Sequence, residues 1–455
     1  MTADKNILVL GAGKSSGILI KYLLEHLSEM GYKTIVADLD LKAAQDKIKN
    51  NPNGKAVELS ANDFNKITEL IDISEVIISM LPATMHLKIA EICLDKKKHL
   101  VTASYKSPEM DKLDAACKEK GLIFLNECGL DPGIDHMSAM QVIDKIKSEG
   151  GEFKGFETFT GGLLANGQNP NPWNYKFTWN PKNVITGGQG VVHFIQEGRF
   201  KYIPYHRLFN RTEIIKIPGY GEFEGYANRD SLKYRAIYGL ENIPTIYRGT
   251  LRRPGFCKSW NVFVQLGATD DTYEMQDVEN MTHRDFINSF LAYNPYDSVE
   301  LKLAHYLRLE LDGVEMRNLK WVGVFKDTPV GLKSGTPAKI LQHILEKKWT
   351  LNPEDKDMIV MWHKFDYITE GVKRQMQSSL VIEGKDAENT AMAFTVGMPV
   401  GIATKLILQG KIKEKGVQLP IKPHWYNPIL KELQQQGLHM QEWMVVPHLQ
   451  NEDDF

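Results

Sequence analysis

A glycine-rich loop near the start of the chain, between a strand pattern and a helix pattern, constrains the fold most strongly. The run GAGKSSG at positions 11–17 follows the apolar segment 7–10 and precedes apolar residues at helical spacing. Gly11 permits a tight turn, Gly13 lets the backbone approach a pyrophosphate, and a helix beginning near Ser15 offers free N–H groups. The third glycine comes one residue later than in GxGxxG. The loop predicts a dinucleotide site at Gly11, Ala12, Gly13, Lys14 and Ser15.

The first 130 residues alternate short apolar runs with helical stretches. Further strands are predicted at 34–37, 55–59, 75–80, 100–102 and 122–125. This alternation is typical of a parallel sheet covered by helices on both faces, and right-handed crossovers make such a sheet doubly wound. We therefore expect an α/β, Rossmann-type domain over 1–130. A flavodoxin-like or unrelated α/β turn is the alternative.

The pattern changes beyond about residue 150. Residues 131–279 and 322–390 predict a second α/β domain with long loops, and 280–321 predict a small helical insert because apolar residues recur there at helical spacing. The small-residue-rich segment 391–409 is expected to form a packed helix that Pro399 kinks or divides. Residues 391–455 are expected to complete the first domain.

Composition and charge narrow the class of protein. The 455 residues carry a formal net charge of -2, which argues against a nucleic acid or an anionic membrane as the main partner. The four cysteines show no CxxC pairing, which indicates reduced thiols. No secretion signal or membrane span is visible at the N-terminus. We expect a cytoplasmic protein that acts on a small molecule.

The residue that ends the second strand indicates the cofactor. Asp38 stands there, and a carboxylate in this place accepts the ribose hydroxyls of NAD and repels the 2′-phosphate of NADP. Lys42 is the only nearby cation, and no arginine follows within several residues. The sequence therefore favours NAD, with NADP as the alternative. Asp40 is better explained as a helix N-cap.

Loops at the carboxyl ends of the later strands supply further candidates, because these ends line the cofactor crevice of an open α/β sheet. Leu81 and Pro82 are expected beside the nicotinamide half of the cofactor. Ser104 and Tyr105 are expected to face both cofactor and substrate.

The run 126–136, NECGLDPGIDH, follows the sixth strand. Asp131, Asp135 and His136 could suggest a metal site. Hydride transfer to or from a nicotinamide needs no metal, and the pair at 135–136 suits a helix N-terminus. No metal site is therefore predicted.

This run resembles the saccharopine dehydrogenase family, specifically the glutamate-forming saccharopine reductases. Other stretches that fit this family, in the same order, are SYKSP (104–108), YKFTW (175–179), YANRDS (226–231), RGTLRRPGF (248–256), DMIVMWHKF (357–365) and TVGMPVGIATK (395–405). The resemblance covers nearly the whole chain. It implies NAD(P)-dependent oxidation of saccharopine to L-glutamate and 2-aminoadipate 6-semialdehyde, or the reverse, in lysine metabolism.

The resemblance also implies roles for individual residues. Arg229 and Arg252 would bind substrate carboxylates, and Thr250 and Leu251 would present hydroxyl and backbone groups beside Arg252. Ser104 and Tyr105 would contact a substrate carboxylate. Asp131 would hold the substrate amine, and Asp131 and Tyr105 are the candidate general acid and base. The backbone of Leu130 and Asp131 is expected to contact the nicotinamide ribose.

The family further implies a mixed-sheet second domain that binds substrate and forms a homodimer. One departure stands out, since Phe159, Thr160 and Leu164 replace a tyrosine, a cysteine and a proline of the family pattern. The fungal NADP enzymes carry an arginine after the second strand that is missing here. Two alternatives stay open: a related reductase that joins another amine and semialdehyde, as in carboxynorspermidine formation, and a non-catalytic dinucleotide sensor.

Overall fold

The chain divides into two units in the computed structural model, which describes residues 5–165, 167 and 171–445. The first unit runs to Gly150 and takes up the chain again at Glu388–Met440. The second unit holds Gly151–Ala387 and the C-terminal strand that begins at Gln441. The chain thus leaves the first unit once, builds most of the second, and returns.

The first stretch alternates strands and helices. The strands are β1 (Lys5–Leu10), β2 (Tyr32–Asp38), β3 (Gly54–Glu58), β4 (Val76–Ser79), β5 (His99–Val101) and β6 (Ile123–Leu125). The helices are α1 (Gly17–His26), α2 (Leu41–Ile48), α3 (Phe64–Asp72), α4 (His86–Asp95), α5 (Pro108–Asp111), α6 (Asp114–Glu119) and α7 (Ile134–Ser148). Asp40 and Asp63 cap α2 and α3 by accepting backbone N–H groups of the first turn.

The second unit contains longer strands and a helical region. The strands are β7 (Glu152–Leu164), β8 (Val191–Gln196), β9 (Arg199–Pro204), β10 (Thr212–Ile217), β11 (Gly221–Ala227), β12 (Thr245–Arg252), β13 (Asp357–Thr369) and β14 (Val372–Glu383). The helices are α8 (Pro181–Ile185), α9 (Tyr205–Leu208), α10 (Tyr234–Ile237), α11 (Phe256–Leu266), α12 (His283–Asn288), α13 (Val299–Leu307), α14 (Val314–Val322) and α15 (Pro337–Trp349).

The last stretch returns to the first unit and ends in the second. Its elements are α16 (Ala391–Leu408), β15 (Gly416–Gln418), α17 (Pro423–Gln435) and β16 (Gln441–Val445). Helix α16 is continuous through Pro399, so of the kink or division expected at this proline the division is excluded. Proline has no backbone N–H and so removes one hydrogen bond of the helix. The buried side chains of the turns before and after Pro399 stabilise this 18-residue helix in spite of that loss.

The sheet of the first unit is parallel, in the order β15-β6-β5-β4-β1-β2-β3. Strand β1 pairs in parallel with β2 on one side and with β4 on the other. The direction of winding therefore reverses beside β1, and the carboxyl ends of β1 and β4 open a crevice where ligands bind in such sheets. This topology confirms the predicted Rossmann-type fold.

The sheet of the second unit is mixed, along the path β10-β11-β12-β7-β13-β14-β16 with the β8–β9 hairpin attached to β12. Strand β12 is parallel to β7, whereas β11 pairs with β12 and β13 with β7 in antiparallel fashion. The mixed sheet confirms the predicted α/β class of this unit.

The helical region of the second unit is wider than the insert predicted at 280–321. It begins with α11 and ends with α15 at Trp349. Trp260 and Trp349 are fully buried in the same apolar cluster as the sheet residue Phe159. Because the helices share this core, they form part of the second unit and are not a separate insert.

The predicted boundary at residue 130 also shifts. Helix α7 belongs to the first unit, where the Tyr426 hydroxyl of α17 donates to Asp144 of α7 over 2.6 Å. At the other end, β16 pairs with β14 and so belongs to the second sheet. The predicted completion of the first domain over 391–455 therefore stops at Met440, and residues 446–455 of that prediction lie outside the described residues.

Helix α16 is long and apolar enough to span a membrane by length and composition. However, 78% of it is buried inside the protein, where Gly397 and Gly401 face α1. Such burial is typical of a core helix.

The four cysteines are unpaired and buried. Cys93 and Cys117 lie in the core of the first unit, and the Cys128 thiol donates to the Pro399 carbonyl of α16. Cys257 lies in the core of the second unit.

Candidate functional site

The glycine-rich loop joins β1 to α1. Gly11 has a positive φ of 105°, and a Cβ there would lie 3.0 Å from the Met80 carbonyl oxygen, so a side chain would be strained and crowded. At Gly13 a Cβ would meet no atom within 4 Å. A single helical turn at Lys14–Ser16 precedes α1, which begins at Gly17, two residues later than the expected start near Ser15. This open, glycine-lined helix entry fits a pyrophosphate.

Asp38 ends β2 directly beside this loop. One carboxylate oxygen accepts the Ala12 N–H over 2.6 Å, and the other accepts the Asp40 N–H over 2.9 Å. Asp40 itself caps α2, as expected. Lys42 points its ammonium to Asp46, 2.7 Å away. Lys42, the cation nearest to Asp38 in the sequence after β2, therefore forms its ion pair with Asp46 and not with Asp38.

The loops after β4 and β5 reach the same edge of the sheet as the glycine-rich loop. Leu81 is half-buried against the first core, and Pro82 is exposed. Ser104 and Tyr105 follow β5 and are half-buried. This placement agrees with the crevice expected at the carboxyl ends of parallel strands.

Tyr105 and Asp131 are brought together by β5 and β6. The Tyr105 hydroxyl donates to the Asp131 carboxylate over 2.9 Å, although the two residues are 26 positions apart. Both side chains are half-buried, so they can meet a ligand. A phenol that donates to a carboxylate is an arrangement suited to proton transfer.

The loop that carries Asp131 is fixed from below by buried polar groups. The Glu127 carboxylate accepts the Lys106 N–H over 3.0 Å and pairs with the His136 ring over 2.8 Å. The Asp135 carboxylate accepts the Gly133 N–H over 2.6 Å. These bonds give Glu127, Asp135 and His136 a structural role. Among the described residues, no group of three His, Cys, Asp or Glu side chains is placed to hold a metal ion.

The remaining predicted residues lie in the second unit. Thr250 and Arg252 are on β12, and Thr250 is paired with Tyr226 of β11 and Thr160 of β7. Because paired residues in neighbouring strands share a face, these side chains form a polar row on one face of the sheet. Leu251 points to the opposite face, where a Cβ on Gly161 would lie 2.9 Å from its own Cβ. Only the backbone of Leu251 is left for a ligand.

Arg252 is almost fully buried beside aromatic rings. Its guanidinium carbon lies 4.9 Å from the Tyr175 ring centre and 5.3 Å from that of Phe256. One terminal nitrogen donates to the Leu251 carbonyl over 2.8 Å, while Nε has no hydrogen-bond partner among the described residues. A buried guanidinium with an unused N–H donor is suited to binding a carboxylate.

Arg229 follows β11 in an exposed loop and has a positive φ of 52°.

The departure at Phe159 and Thr160 has a visible packing consequence. The Phe159 ring covers Gly225 and Gly249, where an added Cβ would lie 2.8 and 2.1 Å from a ring carbon. Thr160 lies on the opposite face, and its buried hydroxyl has no hydrogen-bond partner among the described residues.

Family models match most of the chain. The NADP binding domain of saccharopine dehydrogenase matches residues 7–125, and the saccharopine dehydrogenase C-terminal domain matches residues 129–438. The chain belongs to the saccharopine dehydrogenase family. The resemblance that rested on NECGLDPGIDH is thereby confirmed, and the first unit is a nicotinamide-dinucleotide-binding domain.

Individual members of the saccharopine dehydrogenase family are similar along nearly the whole chain. Rat mitochondrial alpha-aminoadipic semialdehyde synthase is 32% identical over 446 residues, which cover 96% of this chain and 48% of the relative. The NADP(+), L-glutamate-forming saccharopine dehydrogenase of Schizosaccharomyces pombe is 32% identical and covered over 99% of its length. The chain spans about half the length of its animal relatives and the full length of the fungal one.

A solved structure from the same family has the same fold. Apo saccharopine dehydrogenase (L-Glu forming) from Saccharomyces cerevisiae superimposes with a TM-score of 0.86 at 29% identity. The match covers 97% of this chain and all of the yeast chain.

The predicted residues of this family member divide between the two units. Ser104, Tyr105 and Asp131 belong to the first unit with the cofactor loop, and Arg229, Thr250, Leu251 and Arg252 belong to the second. Sequence reasoning missed His86, whose ring contacts Ser104 over 2.7 Å. The available signal was a histidine that begins the helix after β4. Its partner could not be inferred without the sheet order.

Proposed function

We propose that the protein is an L-glutamate-forming saccharopine dehydrogenase. Saccharopine, an oxidised nicotinamide dinucleotide and water would give L-glutamate, 2-aminoadipate 6-semialdehyde, the reduced dinucleotide and a proton. The observation that carries the proposal is the hydrogen bond from Tyr105 to Asp131, at the carboxyl edge of a dinucleotide-binding sheet. A phenol and a carboxylate that can exchange a proton at this edge support such a reaction.

In this reaction the side chains of the protein bind the substrate and transfer its protons. Asp131 holds the secondary amine and takes its proton, and Tyr105 stabilises the Asp131 carboxylate through its hydroxyl. Arg252 and Arg229 bind substrate carboxylates, since a guanidinium binds a carboxylate through two parallel N–H groups. The bound nicotinamide supplies the hydride acceptor. Water then adds to the C=N carbon of the substrate, and Asp131 and Tyr105 move the protons that release the amine from the aldehyde.

We propose further that NAD is preferred to NADP. The Asp38 carboxylate at the loop supports NAD because it would repel a 2′-phosphate and accept ribose hydroxyls. The fungal relatives carry NADP(+) in their names, so this chain would differ from them in its cofactor. The expected basis is Asp38 together with the lack of an arginine after β2.

The direct experiment measures formation of the reduced cofactor with saccharopine, in parallel with NAD and NADP. We expect turnover with NAD, a loss of at least about 100-fold in kcat for Asp131→Asn, and a smaller loss for Tyr105→Phe. Arg229→Ala should raise the KM for saccharopine. No turnover by the wild-type protein with either cofactor, despite measurable dinucleotide binding, would contradict the proposed activity.

The cofactor preference is tested separately with Asp38→Ala. This variant should lose about tenfold in kcat/KM with NAD and gain with NADP, because the repulsion of the 2′-phosphate is removed. Asp95→Ala, at the exposed end of α4, removes the same charge without altering Asp38 or the Lys42–Asp46 ion pair and is the control for a general change of charge. Equal use of both cofactors by the wild-type protein would contradict the preference.

A further inference from the structure

His86 joins two serines across the carboxyl edge of the first sheet. Its Nδ1 lies 2.8 Å from the hydroxyl of Ser79, the last residue of β4. Its Nε2 lies 2.7 Å from the hydroxyl of Ser104, which follows β5. Ser79 and His86 are almost fully buried, whereas Ser104 is half-buried. The chain of bonds thus begins in the core and ends at a residue that a ligand can reach.

The hydrogen-bond directions in this chain can be worked out from the buried end. Burial lowers the pKa of His86 to about 4, so the ring is neutral at pH 7, with one N–H and one acceptor nitrogen. If Nδ1 carried the hydrogen, it would donate to Ser79, and the buried Ser79 O–H would have no acceptor among the described residues. An unpaired buried donor is costly, so Ser79 donates to Nδ1.

The direction at Ser104 then follows. With Nδ1 accepting, the hydrogen of the neutral ring is on Nε2, which donates to the Ser104 hydroxyl oxygen. Ser104 receives a hydrogen bond from behind, and its own O–H is directed away from the ring. The Ser104 O–H can therefore donate a hydrogen bond to a ligand on the side of Ser104 that faces away from His86.

We propose that His86 is a positioning residue that holds Ser104 as a hydrogen-bond donor to a carboxylate oxygen of the substrate. A carboxylate is the matching partner because it only accepts hydrogen bonds. The identity of this substrate rests on the proposed saccharopine dehydrogenase activity. The bond direction rests on Ser79, His86 and Ser104 alone.

A double-substitution cycle tests whether His86 acts through Ser104. Ser104→Ala and His86→Phe should each raise the KM for saccharopine by about tenfold, with the KM for the dinucleotide unchanged. The double variant should be no worse than Ser104→Ala alone. His86→Gln, whose amide can donate near the Nε2 position, should recover part of the loss.

His99 offers the matched control. It is another largely buried histidine of the first unit, and its Nδ1 accepts the Ile123 N–H over 3.0 Å. His99→Phe should leave the KM for saccharopine unchanged, even where it lowers stability. Additive losses in the His86 and Ser104 double variant, or a rise in the KM for the dinucleotide instead of the substrate, would overturn the proposal.

The ring tautomer gives a test that needs no substrate. Histidine labelled with ¹⁵N reports which ring nitrogen carries the hydrogen, and His86→Phe identifies the signal. We expect the Nε2–H form in the wild-type protein and a shift of the signal in Ser79→Ala. An Nδ1–H form would overturn the proposal, whereas absent turnover by the wild-type protein would overturn only the saccharopine activity.

Discussion

Thr160 and Thr158 lie two residues apart on β7 and point to the same face of the sheet, but their hydroxyls differ. The Thr158 hydroxyl is hydrogen-bonded to His363 over 2.8 Å, whereas the Thr160 hydroxyl is buried with no hydrogen-bond partner among the described residues. An unpaired buried hydroxyl costs about 1–3 kcal/mol, and valine has the same shape without it. Thr160→Val should therefore raise the free energy of unfolding by about 0.5–1 kcal/mol.

Thermal denaturation followed by circular dichroism would measure this change. Thr158→Val is the control and should lower the melting temperature, since it removes the buried hydrogen bond between the Thr158 hydroxyl and Nδ1 of His363. A lower melting temperature for Thr160→Val would mean that its hydroxyl is hydrogen-bonded in solution.

His86 and His99 make the stability of the first unit depend on pH. Burial lowers the pKa of each to about 4, and Lys415 also lowers the pKa of His99. The unfolded chain binds more protons than the folded one between about pH 6.5 and 4, so their contribution is complete above pH 6.5 and is lost as the pH falls. Each histidine should contribute a slope of up to about 1.4 kcal/mol per pH unit.

Urea unfolding at several pH values between 7 and 4.5 checks this slope. His99→Phe should flatten it without removing it, because His86 remains. The same slope in the wild-type protein and in His99→Phe would show that the ring of His99 is not protected from protons in the folded state.

Some single residues of the site could be predicted from the sequence, and others could not. The position of Asp38 beside the glycine-rich loop was predictable because it follows from a local feature, the end of β2, and its contact with a cofactor stays a prediction. Leu251 was predicted to offer a backbone group beside Arg252, and the alternation of the strand, which turns its side chain into the core, agrees with that prediction. The bond between His86 and Ser104 depends on the pairing of β4 with β5, which no local pattern shows.

Among the elements, α16 shows how small residues allow two helices to pack closely. A Cβ on Gly397 would lie 3.0 Å from the Leu19 nitrogen and 3.2 Å from the Ser15 carbonyl oxygen. Both of these atoms belong to backbone, which cannot move aside cheaply. Helix α16 thus supports the glycine-rich loop from behind.

Gly397→Val should destabilise the first unit by about 1–3 kcal/mol and weaken dinucleotide binding, because the side chain would push the backbone at Ser15. Isothermal titration with NAD and thermal denaturation measure the two effects. Gln409→Val, at the exposed end of the same helix, is the control for β-branching and should change little. If Gly397→Val lowered the stability but left the affinity for NAD unchanged, the packing of α16 would have no effect on the dinucleotide site, which contradicts the prediction.

The sequence pattern of α16 predicted close helix packing, and the glycines at 397 and 401 account for it. Of the two effects expected at Pro399, a kink or a division, the division did not occur, because burial of the flanking turns outweighs one lost hydrogen bond. The strand β16 was missed since its pairing partner β14 lies more than 50 residues earlier in the chain.

For the whole molecule, the two α/β units were predictable and their boundaries were not. Periodicity indicates helices and strands locally, but it does not say which core they join. Helices α11 to α15 share the core of the second sheet, and α7 stays with the first unit. Both facts depend on tertiary packing.

A homodimer built on the second unit remains a prediction at this scale. One face of the β8–β9 hairpin exposes Val191, Phe200 and Tyr202, each more than half accessible. Neighbouring exposed apolar side chains of this size are typical of an interaction surface. Sedimentation analysis should show a dimer that Tyr202→Glu weakens, whereas Tyr296→Glu, at an exposed tyrosine between α12 and α13, should have no effect. A monomeric wild-type protein would contradict the prediction.

Each unit contains at least one buried cysteine whose alkylation would report the unfolding of that unit. Burial raises the pKa of the Cys117 thiol to about 11 and raises the pKa values of Cys93, Cys128 and Cys257 as well. Only a thiolate reacts quickly with an alkylating reagent, so labelling has to wait until a unit opens. Labelling of Cys257 would time the opening of the second unit, and labelling of the other three that of the first. Mass spectrometry of the unmodified wild-type protein could therefore follow the two units separately, without an engineered probe.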